Sequence, residues 1–133
     1  MREMKRRRSI SILIALFVMV FPLPTLAGGG CDAAFGSDAP AIFKVQSSWG
    51  PAERAMAAGH YARALRELQA TMPALRLIRK PFMRRCVEGG AGIRIAAARA
   101  GFDYLHAHPG DLAGAKKAAN HAWIAFPMAN NCP

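Results

Sequence analysis

Apolar residues recur at helical spacing along most of the chain. Steps of three and four place side chains on one face of an α-helix, whereas a half-buried strand alternates with a period of two. Three stripes follow the helical rule: Tyr61, Leu65, Leu68 and Met72; Ile95, Ala98, Phe102 and Leu105; and Leu112, Ala115, Ala119, Ala122 and Phe126. Because no segment alternates as a strand does, the sequence predicts an all-α fold.

Proline, glycine and capping residues divide this pattern into short helices. Asp38 before Ala39-Pro40 is typical of a helix start, as is Asp111 after the Pro109-Gly110 turn. Pro81 rules out one continuous helix over 74–90, so we expect a helical turn before it and a new helix near it. Short connections between such helices favour antiparallel hairpins.

The first 27 residues have the three-part plan of a secretory signal peptide. Five basic residues precede an apolar run of 12, from Ile10 to Phe21, and Thr25-Leu26-Ala27 resembles a cleavage site. A helix needs about 20 residues to cross a bilayer, so an uncleaved anchor is the less favoured alternative. We therefore predict a signal peptide over 1–27, an irregular segment with a short helix over 28–50, and a helical domain over 51–133.

The exported chain stays basic. Loss of five basic residues and one acidic residue with the leader lowers the formal net charge from +10 to +6. A positive domain favours anionic partners or surfaces. Outside the cytosol it would not meet chromosomal DNA, so nucleic acid is not an expected partner.

One basic stretch and one aromatic set are the candidate binding residues. The stretch "RLIRKPFMRR" mixes apolar residues with five cations that suit an anionic membrane or an acidic protein patch: Arg76, Arg79, Lys80, Arg84 and Arg85. The alternative is a solvated basic face over a core. The aromatic candidates for lining a peptide groove are Trp49, Trp123 and Phe126. The alternative is that these residues pack in the core.

Catalytic chemistry is not indicated. The serines lack a nucleophile-elbow context, and the scattered carboxylates form no acid–base pair at helical spacing. In a hairpin that turns at Pro109-Gly110, His106 and His108 would lie about 10 Å or more from His121, too far to share a metal ion. We expect no enzymatic activity, no metal site and no cofactor.

Two segments resemble the second helix of a tetratricopeptide repeat. Gly110, Ala115, Ala122 and Pro127 follow its glycine, small-residue and proline positions, and Gly59, Tyr61, Ala64 and Leu65 resemble its start. The resemblance implies degenerate helical hairpins over about half of the mature chain; an unrelated small helical bundle is the alternative. The two glycines are 51 residues apart rather than 34.

Three cysteines follow the leader: Cys31, Cys86 and Cys132. Export favours pairing, and none are spaced as a C-x-x-C metal motif. Cys86 lies 23 residues before the Pro109-Gly110 turn and Cys132 lies 22 after it, so a hairpin would bring them together. We predict that pair, with Cys31 in a pair as the alternative. Cys31 is also a candidate for lipidation, because it follows the leader closely.

These observations predict an exported binding protein. Its role would be that of a protein-interaction or adaptor module in the periplasm, cell envelope or extracellular space, with an unknown protein or peptide partner. The alternative is a cationic protein associated with a membrane or envelope surface, lipid-anchored through Cys31.

Overall fold

The fold is all-α, as predicted. The computed structural model describes residues 36–127, and the compact unit begins at Asp38. Its helices are α1 (Ala39–Gln46), α2 (Trp49–Ala57), α3 (Tyr61–Thr71), α4 (Pro81–Ala107) and α5 (Leu112–Ala125), with 3-10 segments at Gly36–Asp38 and Met72–Leu77. Residues 36–127 contain no strand. The predicted signal peptide lies outside the described residues.

The helix boundaries follow the local signals in the sequence. Gly59 and Gly110 both have positive φ, 81° and 86°, and end the preceding helical segments in turns. Pro81 is the first residue of α4. Asp111 caps α5 by accepting a hydrogen bond from the backbone N–H of Gly114 at 2.9 Å. The predicted cap at Asp111 and helix start near Pro81 are therefore confirmed.

Two helical hairpins make up most of the unit. A short turn joins α2 to α3, and the Pro109-Gly110 turn joins α4 to α5, while α3 packs on α4. Alanines make up most of the buried residues at the helix crossings, which allows the axes to approach closely. The buried residues at these crossings are Ala52, Ala55, Ala64, Leu68 and Ala98 in one cluster and Tyr61, Ala97, Ala115 and Ala119 in the other.

α4 runs unbroken through the Gly89-Gly90 pair. The reason for a glycine here is close packing: a Cβ on Gly90 would lie 2.5 Å from the Trp49 ring. Farther along, a Cβ on Gly101 would collide with the Tyr61 ring. Glycine at these positions therefore brings α4 within contact distance of α2 and α3.

The short helix α1 is attached to the segment that precedes α4. Asp38, only 1% exposed, accepts hydrogen bonds from the backbone N–H groups of Arg79 at 2.8 Å and Lys80 at 3.0 Å. These bonds stabilise the ionised form and lower the pKa of the Asp38 carboxyl below its usual value. α1 begins after Asp38 as predicted. The Asp38 carboxylate, however, makes no capping hydrogen bond to α1 and instead binds the connector, residues 78–80 before α4.

α1 also contributes to the core. Ile42 and Val45 are fully buried, as is Ile78 in the connector. The compact unit thus includes α1 and starts at Asp38, whereas the sequence predicted a helical domain from residue 51. Trp49 and Gly50, predicted to lie in the irregular segment, form the first turn of α2.

Candidate binding surfaces

The predicted aromatic groove residues contact α4. The Trp49 ring packs on Gly90, and the Phe126 ring lies where a Cβ on Gly92 would be 2.8 Å away. Trp123 is half-buried beside the second core cluster. The structure therefore brings the start of α2 and the end of α5 to the middle of α4.

The guanidinium group of Arg94 contacts the rings of both tryptophans. Its Cζ lies 4.0 Å from the Trp49 ring centroid and 5.1 Å from that of Trp123. Arg94 also donates to the Gly90 carbonyl oxygen at 2.7 Å and to Glu53 at 3.1 Å. Two of its nitrogens and its stacking contacts are thus engaged with the protein itself.

These contacts favour a structural role for the Arg94 cluster, which comprises Arg94, Trp49, Trp123 and Glu53. The Trp49 indole N–H is buried without an acceptor among the described residues, so it is not presented at the surface. Sequence reasoning missed Arg94 because its partners on other helices, Trp49, Glu53 and Trp123, are 45, 41 and 29 positions away. Binding of a peptide by Trp49, Trp123 and Phe126 remains a prediction.

The predicted basic stretch lies at the surface. Its five cationic residues are all exposed, and Arg84 additionally donates from Nε to the Ile78 carbonyl oxygen at 3.1 Å. The interleaved apolar residues divide between two environments. Ile78 and Met83 are buried, whereas Leu77 is 68% exposed and Phe82 is 45% exposed. Leu77 also lines a shallow depression with Lys44 and Arg76.

A groove between α3 and α4, not predicted from the sequence, is the third candidate. It has a volume of about 500 Å³ and lies between the first turn of α3 and the last turns of α4. Its apolar surface is formed by Tyr61, Phe102 and Leu105. The sequence placed Phe102 on a buried stripe, but its side chain is 41% exposed here. We call this feature the α3–α4 groove.

Basic and polar side chains surround this apolar surface. Arg63 and Arg66 line the groove from α3, and His60 and His106 also line it. The His106 ring stacks on Phe102 with centroids 6.5 Å apart. An adjoining depression shares His60 and Arg63 with the groove and adds Arg54 and Glu67. The only sequence signal was the pair of arginines on the polar face of α3.

The remaining predicted chemistry concerns histidine and metal binding. His108 stacks on Tyr104, whose hydroxyl donates to Asp111 at 2.6 Å. That hydrogen bond to an ionised carboxylate raises the pKa of Tyr104 and lowers that of Asp111. Within residues 36–127, no three His, Cys, Asp or Glu side chains form a cluster suited to a metal ion.

Cys86 is half-buried near the start of α4, while Cys31 and Cys132 lie outside the described residues. The Cys86–Cys132 disulfide and the lipidation of Cys31 therefore remain predictions. None of the described helices is both long enough and apolar enough to span a bilayer.

Comparison with known proteins gives no relative from which a function could be inferred. No protein-family model, curated protein or solved structure matches the chain significantly. The resemblance to tetratricopeptide repeats therefore stays a prediction. The surface of the molecule itself must supply the functional argument.

Proposed function

We propose that this protein is an exported, non-catalytic interaction module that binds a partner protein through the α3–α4 groove. One observation carries the proposal: an apolar hollow of about 500 Å³ lies between two helices and is lined by two exposed arginines. Protein-binding sites commonly combine an apolar centre with a polar rim. The basic leader followed by a short apolar run supports export to the periplasm, envelope or extracellular space.

Site-specific photo-crosslinking tests this function. The photoreactive residue p-benzoylphenylalanine would replace Phe102 in the groove, and in a matched variant it would replace Phe82 on the basic stretch. Both phenylalanines are exposed to a similar degree, 41% and 45%. We expect a discrete protein adduct in the exported fraction from position 102 that is absent from position 82.

The adduct must also depend on the groove's own chemistry. Adding Arg66→Glu to the position 102 variant reverses one rim charge on an exposed side chain, so the adduct should decrease strongly while the far-ultraviolet circular dichroism spectrum is unchanged. Equal adducts from positions 102 and 82, or an adduct insensitive to Arg66→Glu, would contradict the proposal.

A specific observation also supports the second function, association with an anionic membrane or envelope surface. Leu77 and Phe82 expose apolar surface among five exposed basic residues, and a cationic apolar surface of this kind is attracted to anionic lipids. Salt should abolish vesicle association but only weaken binding in the groove, because charge attraction is screened by salt while the apolar part of the groove contact persists.

A further inference from the structure

The α3–α4 groove also indicates what kind of partner segment it would accept. We infer that its occupant is a peptide segment of the partner protein in which an aromatic or large aliphatic side chain is flanked directly by carboxylates. This inference rests on the proposed function and adds the chemistry of the ligand.

The apolar requirement follows from the floor of the groove. Tyr61 is 2% exposed and forms a fixed base, because its ring is packed against Gly101 of α4. Phe102 and Leu105 supply the accessible apolar surface, and His106 is stacked on Phe102. One large apolar side chain would remove this surface from water, whereas a polar side chain there would lose its hydration.

The acidic requirement follows from the groups around that floor. Arg63 and Arg66 contribute two charges, and the adjoining depression adds Arg54, against one acidic group, Glu67. Because the two hollows share His60 and Arg63, a segment with its apolar side chain in the groove would place neighbouring residues over the depression. Arginine pairs well with carboxylates through bidentate hydrogen bonds.

The first turn of α3 adds to this preference. Tyr61, Ala62 and Arg63 are the first three residues of an 11-residue helix and all line the groove. Their backbone N–H groups lie in the helix turn that has no intrahelical acceptors, and the His60 side chain does not cap them. Together with the arginines, this helix end favours a negative group.

The residues that line the groove favour a peptide over a bilayer. Phe102 and Leu105 lie between two helices beside Arg63 and Arg66, whereas a lipid surface contacts protruding apolar residues. The exposed Leu77 and Phe82 are on the basic stretch and not in this groove. Vesicle binding is therefore the competing outcome in the experiment.

Fluorescence anisotropy with three synthetic peptides tests the inference. Each is a fluorescein-labelled Gly/Ser peptide whose centre reads Glu-Asp-Phe-Glu-Asp, Gln-Asn-Phe-Gln-Asn or Glu-Asp-Ser-Glu-Asp. At about 50 mM NaCl, where charge attraction is only partly screened, we expect the first peptide to bind about tenfold tighter than either control. The same titrations with phosphatidylglycerol vesicles supply the lipid arm.

Two double variants locate the binding site. Arg63→Ala/Arg66→Ala removes two exposed groove charges, and Lys116→Ala/Lys117→Ala removes two exposed charges from α5. We expect about tenfold weaker binding of the acidic phenylalanine peptide with the first variant and less than about twofold with the second. Thermal melts by circular dichroism check that both variants are folded.

Three results would overturn the inference. The amide peptide could bind as tightly as the acidic one, the two double variants could weaken binding equally, or vesicles rather than peptides could lose binding with Arg63→Ala/Arg66→Ala. Absence of peptide binding alongside a persistent, Arg66-dependent adduct from position 102 would refute this ligand chemistry and leave the proposed function standing. Loss of both would refute both.

Discussion

At the scale of single residues, Arg94 contacts side chains of two other helices, although the sequence analysis assigned it no role. Its guanidinium group lies over the Trp49 ring and near the Trp123 ring, and its donors bind Gly90 and Glu53. A flat, delocalised cation can stack and donate at once, which an ammonium group cannot do. Arg94 therefore links α2, α4 and α5 through one side chain.

We predict that Arg94→Lys lowers the free energy of unfolding by about 1–2 kcal/mol, because the stacked contacts with both tryptophans are lost. Glu53→Gln should cost less than about 1 kcal/mol, since the Glu53 side chain is 46% exposed and its ion pair is screened by solvent. Urea unfolding followed by tryptophan fluorescence measures both. Equal losses in the two variants would assign the stability to the ion pair instead of the stacking.

At the scale of helices, α4 is the element on which the others pack. It is 27 residues long and contacts α5, α3, α2 and α1. Glycine lowers the intrinsic stability of a helix. In α4 this cost is offset where an aromatic ring of a neighbouring helix occupies the space that a side chain would fill, as at Gly90 and Gly101.

We predict that Gly101→Ala destabilises the fold by about 1–3 kcal/mol even though alanine is the better helix former, because the added methyl group meets the buried Tyr61 ring. Gly50→Ala is the matched control, since its added Cβ would approach only the tip of the exposed Arg54 side chain, at 3.3 Å. That change should alter the free energy of unfolding by less than about 1 kcal/mol, because alanine is the better helix former but a Cβ before Pro51 disfavours the helical conformation. Urea unfolding distinguishes them, and a stable Gly101→Ala variant would refute the packing account.

The helices could be predicted better than their packing. Helix boundaries depend on residues that act within a few positions of themselves, so they can be predicted from the sequence. Here these residues are Gly59, Pro81, Gly110 and Asp111. The pairing of Trp49 with Gly90 joins residues 41 positions apart and depends on how whole helices cross. The α3–α4 groove was missed for the same reason: the spacing of Phe102 fits a buried stripe, but among the described residues its side chain stays 41% exposed.

At the scale of the whole molecule, the end of α5 lies near the part of α4 that carries Cys86. Phe126 lies beside Gly92, so α5 ends six residues, or about 9 Å along the helix, from Cys86. A further six residues separate Phe126 from Cys132 and could span up to about 20 Å. The described part of the fold is thus compatible with the predicted Cys86–Cys132 pair.

We predict that peptide mapping of the exported protein without reductant recovers Cys86 linked to Cys132. Closing a loop of 46 residues is worth about 4 kcal/mol on the chain-entropy model, so Cys132→Ser should lower the melting temperature markedly. Reductant should lower that of the parent protein and leave that of the variant nearly unchanged. Recovery of Cys31 linked to Cys86 would show that this pairing is wrong.

The hydrogen bonds from the backbone of Arg79 and Lys80 to Asp38 can form only after the chain has been synthesised through these residues. They join positions 41 and 42 residues apart, so the carboxylate has no backbone partner until residue 80 has left the ribosome or the translocation channel. If the predicted signal peptide directs export, the chain would therefore be translocated before α1 is attached to the rest of the fold. Maturation just after Ala27 would leave ten residues ahead of Asp38, enough for a peptidase to act without reaching the tether.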